Sequence, residues 1–158
     1  MAYQNILIPY DGSEHAKSAL ALAKGLMNDE VKTNLHVIKI VPMSAIPGMA
    51  VKGPSARMAN VVSDYDSYTE YLSDALQDVT NEMAEELQNI LEDVSADQII
   101  YKVIAHPAAA QGITEYADEN NCDLIIMGRR GLGAIRGLLG SVSYGVLRAT
   151  DVPVMTVK

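Results

Sequence analysis

Apolar positions along the chain change period repeatedly, and each change marks an element. Residues 5–9 (Asn-Ile-Leu-Ile-Pro) form a short β-branched run that stops at Tyr10-Asp11-Gly12-Ser13, a set of turn and cap residues. From Ser13 as N-cap, Ala16, Ala19, Leu20, Ala23 and Leu26/Met27 recur at the spacing of an amphipathic helix, which Asn28-Asp29 ends. Residues 34–41 read as a second strand, apolar on both faces at its end and closed by Pro42. Residues 43–66 keep no period and carry Pro47-Gly48 and Gly53-Pro54, which reads as a long surface loop or mobile insertion, and loops of this length often cover a ligand.

From Tyr68 through Leu72, Leu76, Val79, Met83, Leu87 and Leu91 to Val94 the steps are three and four, predicting the longest helix over about 66–94. A third strand follows at 98–104, a helix at about 109–120, a fourth strand at 123–127, a last helix at about 141–149 and a fifth strand at 152–157. Strand and helix alternate throughout, without repeat or linker. That pattern predicts a single α/β domain over residues 1–158, a doubly wound, five-stranded parallel sheet with helices on both faces; the strand order taken for it is 3-2-1-4-5.

Composition narrows the partners. Twelve Lys and Arg against twenty Asp and Glu leave a net charge of −8, the wrong sign for general affinity to nucleic acid or anionic membranes. No apolar run approaches membrane-spanning length, and the first strand begins too early to leave room for a signal peptide, so the reading is a soluble, cytoplasmic chain. Cys122 is alone and reads as a small buried residue. His15, His36 and His106 lack metal-ligand spacing. Residues 60–98 hold eleven acids and no Lys or Arg, which reads as a solvated helix face, the alternative being a patch for a cation or a partner.

Chemistry concentrates where the winding of the sheet reverses, in the loops after strands one and four. Residues 128–145 contain six of the eleven glycines, and from Leu124 to Thr150 there is no acid but four arginines, Arg129, Arg130, Arg136 and Arg148. Gly140-Ser141-Val142-Ser143 then opens a helix, whose free N–H groups and positive end suit phosphate oxygens. No Gly-Lys-Ser/Thr is present, and Gly131, Gly133 and Gly137 are not spaced as a dinucleotide fingerprint. Ser13 has cap duty and no paired His/Asp constellation to make it a nucleophile.

What stands there is Gly128-x2-Gly131-x8-Gly140-Ser141. Together with Ile6-Leu7-Ile8-Pro9-Tyr10-Asp11-Gly12-Ser13 and the closing Asp151-Val152-Pro153-Val154-Met155-Thr156-Val157, it resembles the universal stress protein family from end to end. The ATP-binding branch of that family carries Gly-x2-Gly-x9-Gly-Ser/Thr after an apolar strand ending in Met-Gly. Here the long gap is one residue short, a deletion placed within 132–139, and Ala105-His106-Pro107 stands where many relatives have a glycine before the proline.

The resemblance implies an adenine-nucleotide site. Pro9, Tyr10 and Asp11 would stand against the nucleoside, the backbone of Val41 at the adenine edge, and Met127 in the base pocket. Gly128, Gly131, Gly140, Ser141, Val142 and Ser143 would hold ribose and phosphates; Arg130 is added from charge. It implies ATP, with Mg²⁺ as companion cation, bound in a stress-response role without catalysis or with very slow hydrolysis, and a homodimer seamed along 152–157. The alternatives are a nucleotide-free dimeric interaction module and a true ATPase, for which only Asp11 is available as a base.

Overall fold

A computed structural model of the chain describes residues 2–28, 30–42, 65–132 and 139–158. The loop expected at 43–66, up to residue 64, and Gly133, Arg136 and Gly137 lie outside the described residues. The strands are β1 (Asn5–Pro9), β2 (Asn34–Val41), β3 (Ile99–Ala105), β4 (Leu124–Gly128) and β5 (Val154–Val157); the helices are α1 (Glu14–Gly25), α2 (Tyr65–Leu87), α3 (Ala109–Glu119) and α4 (Ser141–Ala149). All strand pairs are parallel, in the expected order β3-β2-β1-β4-β5.

The period-two alternation of a strand sorts side chains between two cores. Ile6, Ile8, Leu35, Val37, Val103, Leu124 and Ile126 face one side, where Ala16, Ala19, Leu20 and Ala23 of α1 and Met83 and Leu87 of α2 cover them. Leu7, Ile38, Ile125 and Met127 face the other, under Ile113, Tyr116 and Ala117 of α3 and Val146 of α4. Both faces of the central strands are therefore dry, as their apolar runs require.

Two element bounds differ from the periodicity. The regular part of α2 ends at Leu87, and the chain continues in tight turns in which Ile90 N–H donates to Leu87 O and Val94 N–H to Leu91 O. Leu91 still packs into the core, and Ile90 and Val94 against it, so the apolar spacing persists after the helix has stopped. At the other end β5 is only Val154–Val157; Val152 and Pro153 precede the ladder, Pro153 contributing its carbonyl to Ile125 N–H at 2.9 Å.

Close approach explains two glycines. A Cβ at Gly128 would stand 2.8 Å from His15 Cβ and 3.0 Å from the His15 carbonyl carbon, so the end of β4 can lie against the first turn of α1 only without a side chain. A Cβ at Gly145 would stand 2.7 Å from Ala110 Cβ, where α4 crosses α3. Both contacts border the carboxyl ends of β1 and β4.

Candidate functional site

The chain leaves β1 through a turn built by its own side chains. Gly12 takes φ +82°, a conformation that favours glycine, and Ser13 N–H donates back to Asp11 Oδ1 at 3.0 Å. Ser13 Oγ then accepts from Ala16 N–H at 3.2 Å and starts α1. The other Asp11 oxygen reaches across to the loop after β4: a Cβ at Gly131 would collide with Asp11 Oδ2. The carboxylate thus faces the glycine loop.

On the opposite wall α4 begins at Gly140, in extended conformation and with no side-chain cap. Gly140 N–H donates to Arg129 O at 3.0 Å, and a Cβ there would press on Arg129 O and Arg130 Cα, both at 3.3 Å. The buried Ser143 hydroxyl donates to the Gly128 and Arg129 carbonyls, at 3.0 and 3.1 Å. These contacts aim the first turn of α4 at the crevice.

Between the walls lies a cavity of about 540 Å³, within the ordinary range for small-molecule sites. Eleven of the twelve residues named from the sequence line it: Pro9, Tyr10, Asp11, Met127, Gly128, Arg130, Gly131, Gly140, Ser141, Val142 and Ser143. Val41 does not; its carbonyl accepts from His106 N–H at 3.0 Å, continuing the β2–β3 ladder. The lining also includes Ile38, Ile40, Ala109 and Ile113, which sequence reasoning passed over. Their spacing carried a signal, since Ile38 and Ile40 share a strand face and Ala109 and Ile113 a helix face, but it is the signal of any core residue.

The lining of the cavity is mixed: Pro9, Ile38, Ile40, Ile113, Met127, Leu132 and Leu139 are apolar, and Asp11, Arg130, the glycines and the α4 N-terminus bring polar and charged groups to it. Unpaired N–H groups and a partial positive charge of about +0.5 at a helix start attract an oxyanion, and Arg130 adds a full charge. Asp11 is an acceptor for hydroxyl or amine donors. Tyr10 is committed elsewhere: its hydroxyl donates to Glu86 Oε1 at 2.6 Å, and burial, with the Glu86 carboxylate, pushes its pKa up. Among the described residues no cluster of three or more His, Cys, Asp or Glu could hold a metal ion.

At the other end of the sheet, His36 is buried with Nδ1 3.0 Å from the Tyr116 hydroxyl, and burial lowers its pKa. Cys122 is buried beside them and its thiol is pushed up to about 12, which keeps it protonated and unreactive. No described helix is long and apolar enough to cross a membrane.

Comparison with known proteins agrees with this architecture. The universal stress protein family model matches residues 2–158. Universal stress protein MJ0531 of Methanocaldococcus jannaschii is 29% identical over 99% of this chain and 82% of its own length; MJ0577 of the same organism is 30% identical over 99% and 95%. The solved structure of MJ0577 superposes with a TM-score of 0.69 at 24% structural-alignment identity, covering 100% of this chain and 97% of that one. A universal stress protein in complex with cAMP has a TM-score of 0.57 at 23% identity, covering 100% and 98%. One from Archaeoglobus fulgidus in complex with dAMP has 0.56 at 20%, covering 100% of both. With residues 2–158 matched by the family model and its fold shared with the solved relatives, this chain belongs to the universal stress protein family.

Proposed function

We propose that the protein binds an adenine nucleotide, ATP in the first place, and works by occupancy and not by turnover. The observation that carries this is a cavity lined by apolar residues of β2, β4 and α3 and also by the uncapped start of α4. An aromatic base suits the apolar residues and phosphates the helix start. Gly131 and Gly140 leave room for the Asp11 carboxylate and the Arg129–Arg130 backbone to close on the site, and Asp11 stands where ribose hydroxyls or a base amine can donate to it. The cAMP and dAMP complexes of relatives support the same ligand class.

Mg²⁺ would be held chiefly by the phosphates, because Asp11 is the only carboxylate among the described lining residues and Mg²⁺ accepts such shared coordination. A single carboxylate with no neighbouring base is also thin equipment for hydrolysis. The chain's own part is to enclose the base, orient Asp11 and present N–H groups to the phosphates. A homodimer through β5 and the flank of α4 belongs to the same reading, since Tyr144, Leu147 and Met155 are all large apolar residues left exposed there.

The test is to denature the purified protein and identify released small molecules by chromatography and mass spectrometry, with calorimetric titration of Mg-ATP into protein found empty. ATP or ADP near one per chain, or saturable binding, is expected. An empty protein that ignores Mg-ATP would overturn the reading in favour of a nucleotide-free interaction module.

A further inference from the structure

Tyr10 is the point where the cavity meets the long acidic helix. It is 3% exposed, although the next residue, Asp11, is on the surface. Its main-chain N–H donates to Ile38 O at 2.7 Å and its hydroxyl to Glu86 Oε1 at 2.6 Å, 76 residues away in sequence. Residue 10 is thereby held from both the sheet and α2 just before the turn that carries Asp11. A continuous path results: Glu86 fixes Tyr10, Tyr10 is bonded to Asp11, and Asp11 lies over Gly131.

Glu86 occupies an unfavourable place for a carboxylate. It ends the stripe Glu70, Asp74, Asp78, Glu82 and Glu86, exposed acids four apart that repel one another, in a stretch without Lys or Arg. A charged acceptor makes a hydrogen bond roughly twice as strong as a neutral one, which is a physical reason for an acid at this position. Among the described residues α2 packs on the sheet through Met83 and Leu87, with Leu76 and Val79 against the same core, and the Tyr10–Glu86 bond links it to the site.

We propose that Glu86 is a positioning residue for the ligand site: by holding Tyr10 it sets where Asp11 stands over Gly131, and so couples the seating of α2 to ligand affinity. The proposal rests on the nucleotide reading above. Linkage makes the coupling reciprocal, so a ligand in the cavity steadies the last turns of α2.

The experiment is calorimetric titration of Mg-ATP into the full chain and into Tyr10→Phe, Glu86→Ala, Glu86→Gln and the Tyr10→Phe/Glu86→Ala double variant, each verified as folded by circular dichroism. Tyr10→Phe and Glu86→Ala should each weaken binding about tenfold, with the double variant no weaker than either, because both remove the same bond. Glu86→Gln, which keeps an acceptor oxygen, should recover most of the affinity lost in Glu86→Ala. Hydrogen exchange over residues 80–87 should slow on ligand saturation in the parent and not in Tyr10→Phe. Unchanged affinity in Tyr10→Phe, with or without a lowered Tm, would reduce the bond to a strut and overturn the proposal; should Glu86→Ala not fold, Tyr10→Phe decides alone. A parent protein that binds no Mg-ATP removes the nucleotide reading itself, a result distinct from a binding parent with indifferent variants.

Discussion

Single residues decide the site through what they lack as much as through what they carry. Gly131 and Gly140 leave room that a side chain would take from Asp11 and from the Arg129–Arg130 backbone. Gly140→Val should therefore leave a folded protein that no longer holds phosphates, and Gly131→Ala, which pushes on the Asp11 carboxylate, should weaken Mg-ATP at least several-fold; calorimetry reads both. The glycines were legible in the sequence because six within eighteen residues exceed what turns need. The fate of Ser143 was not, because the carbonyls that take its proton come from the end of β4 and become neighbours only on folding. His36 is a second residue whose meaning needed the fold. Burial holds its pKa below the ordinary 6.5, so at acid pH the unfolded chain binds a proton that the native one resists. Its contribution is whole above pH 6.5 and shrinks as pH falls from there towards the native pKa. The urea midpoint should accordingly drop between pH 7.5 and pH 5.5, with a flatter dependence in His36→Gln.

Elements were read from the sequence to the extent that local signals set their ends. The Ser13 cap stood where turn chemistry placed it, and Ser13→Ala should cost about 1 kcal/mol of stability, measured by urea unfolding, since Ala16 N–H loses its acceptor. Helix α2 is the contrasting case. Its apolar spacing runs on to Val94, yet the regular helix stops at Leu87, because tight turns can present Ile90, Leu91 and Val94 to the same core. Lys24 of α1 secures this segment by donating to Ile90 O at 3.0 Å and pairing with Asp93. Periodicity records which residues are covered, not which hydrogen bonds continue. Strand β5 shows the same limit: Val152 belongs to the apolar run but precedes the ladder, whose start is fixed by the pairing of Ile125 with Val154.

At the scale of the molecule, the proposed pairing of two copies follows from where apolar surface is left over. Met155, on the edge strand β5, is 38% exposed and Leu147 of α4 is 43% exposed, apolar surface that a second copy would cover. Sedimentation equilibrium should find a dimer, and Met155→Asp should shift it to monomer while circular dichroism stays the same. The sequence by itself determined the alternation of strands and helices and hence a parallel sheet covered on both faces, because hydrophobic period and connection length leave few other windings, whereas the order of its strands is fixed by their pairing in the fold. It also located the glycine loop and the acid opposite, since in such a sheet a site at the reversal of winding is built from the residues that follow two particular strands. Only the tertiary structure decided that Val41 stays in the ladder with His106, that Ile38, Ile40, Ala109 and Ile113 complete the cavity, and that Glu86 reaches Tyr10. Each of these joins residues from elements distant in the chain, and the distances between them are set by how helices settle on the sheet, for which no local pattern of amino acids carries a signal.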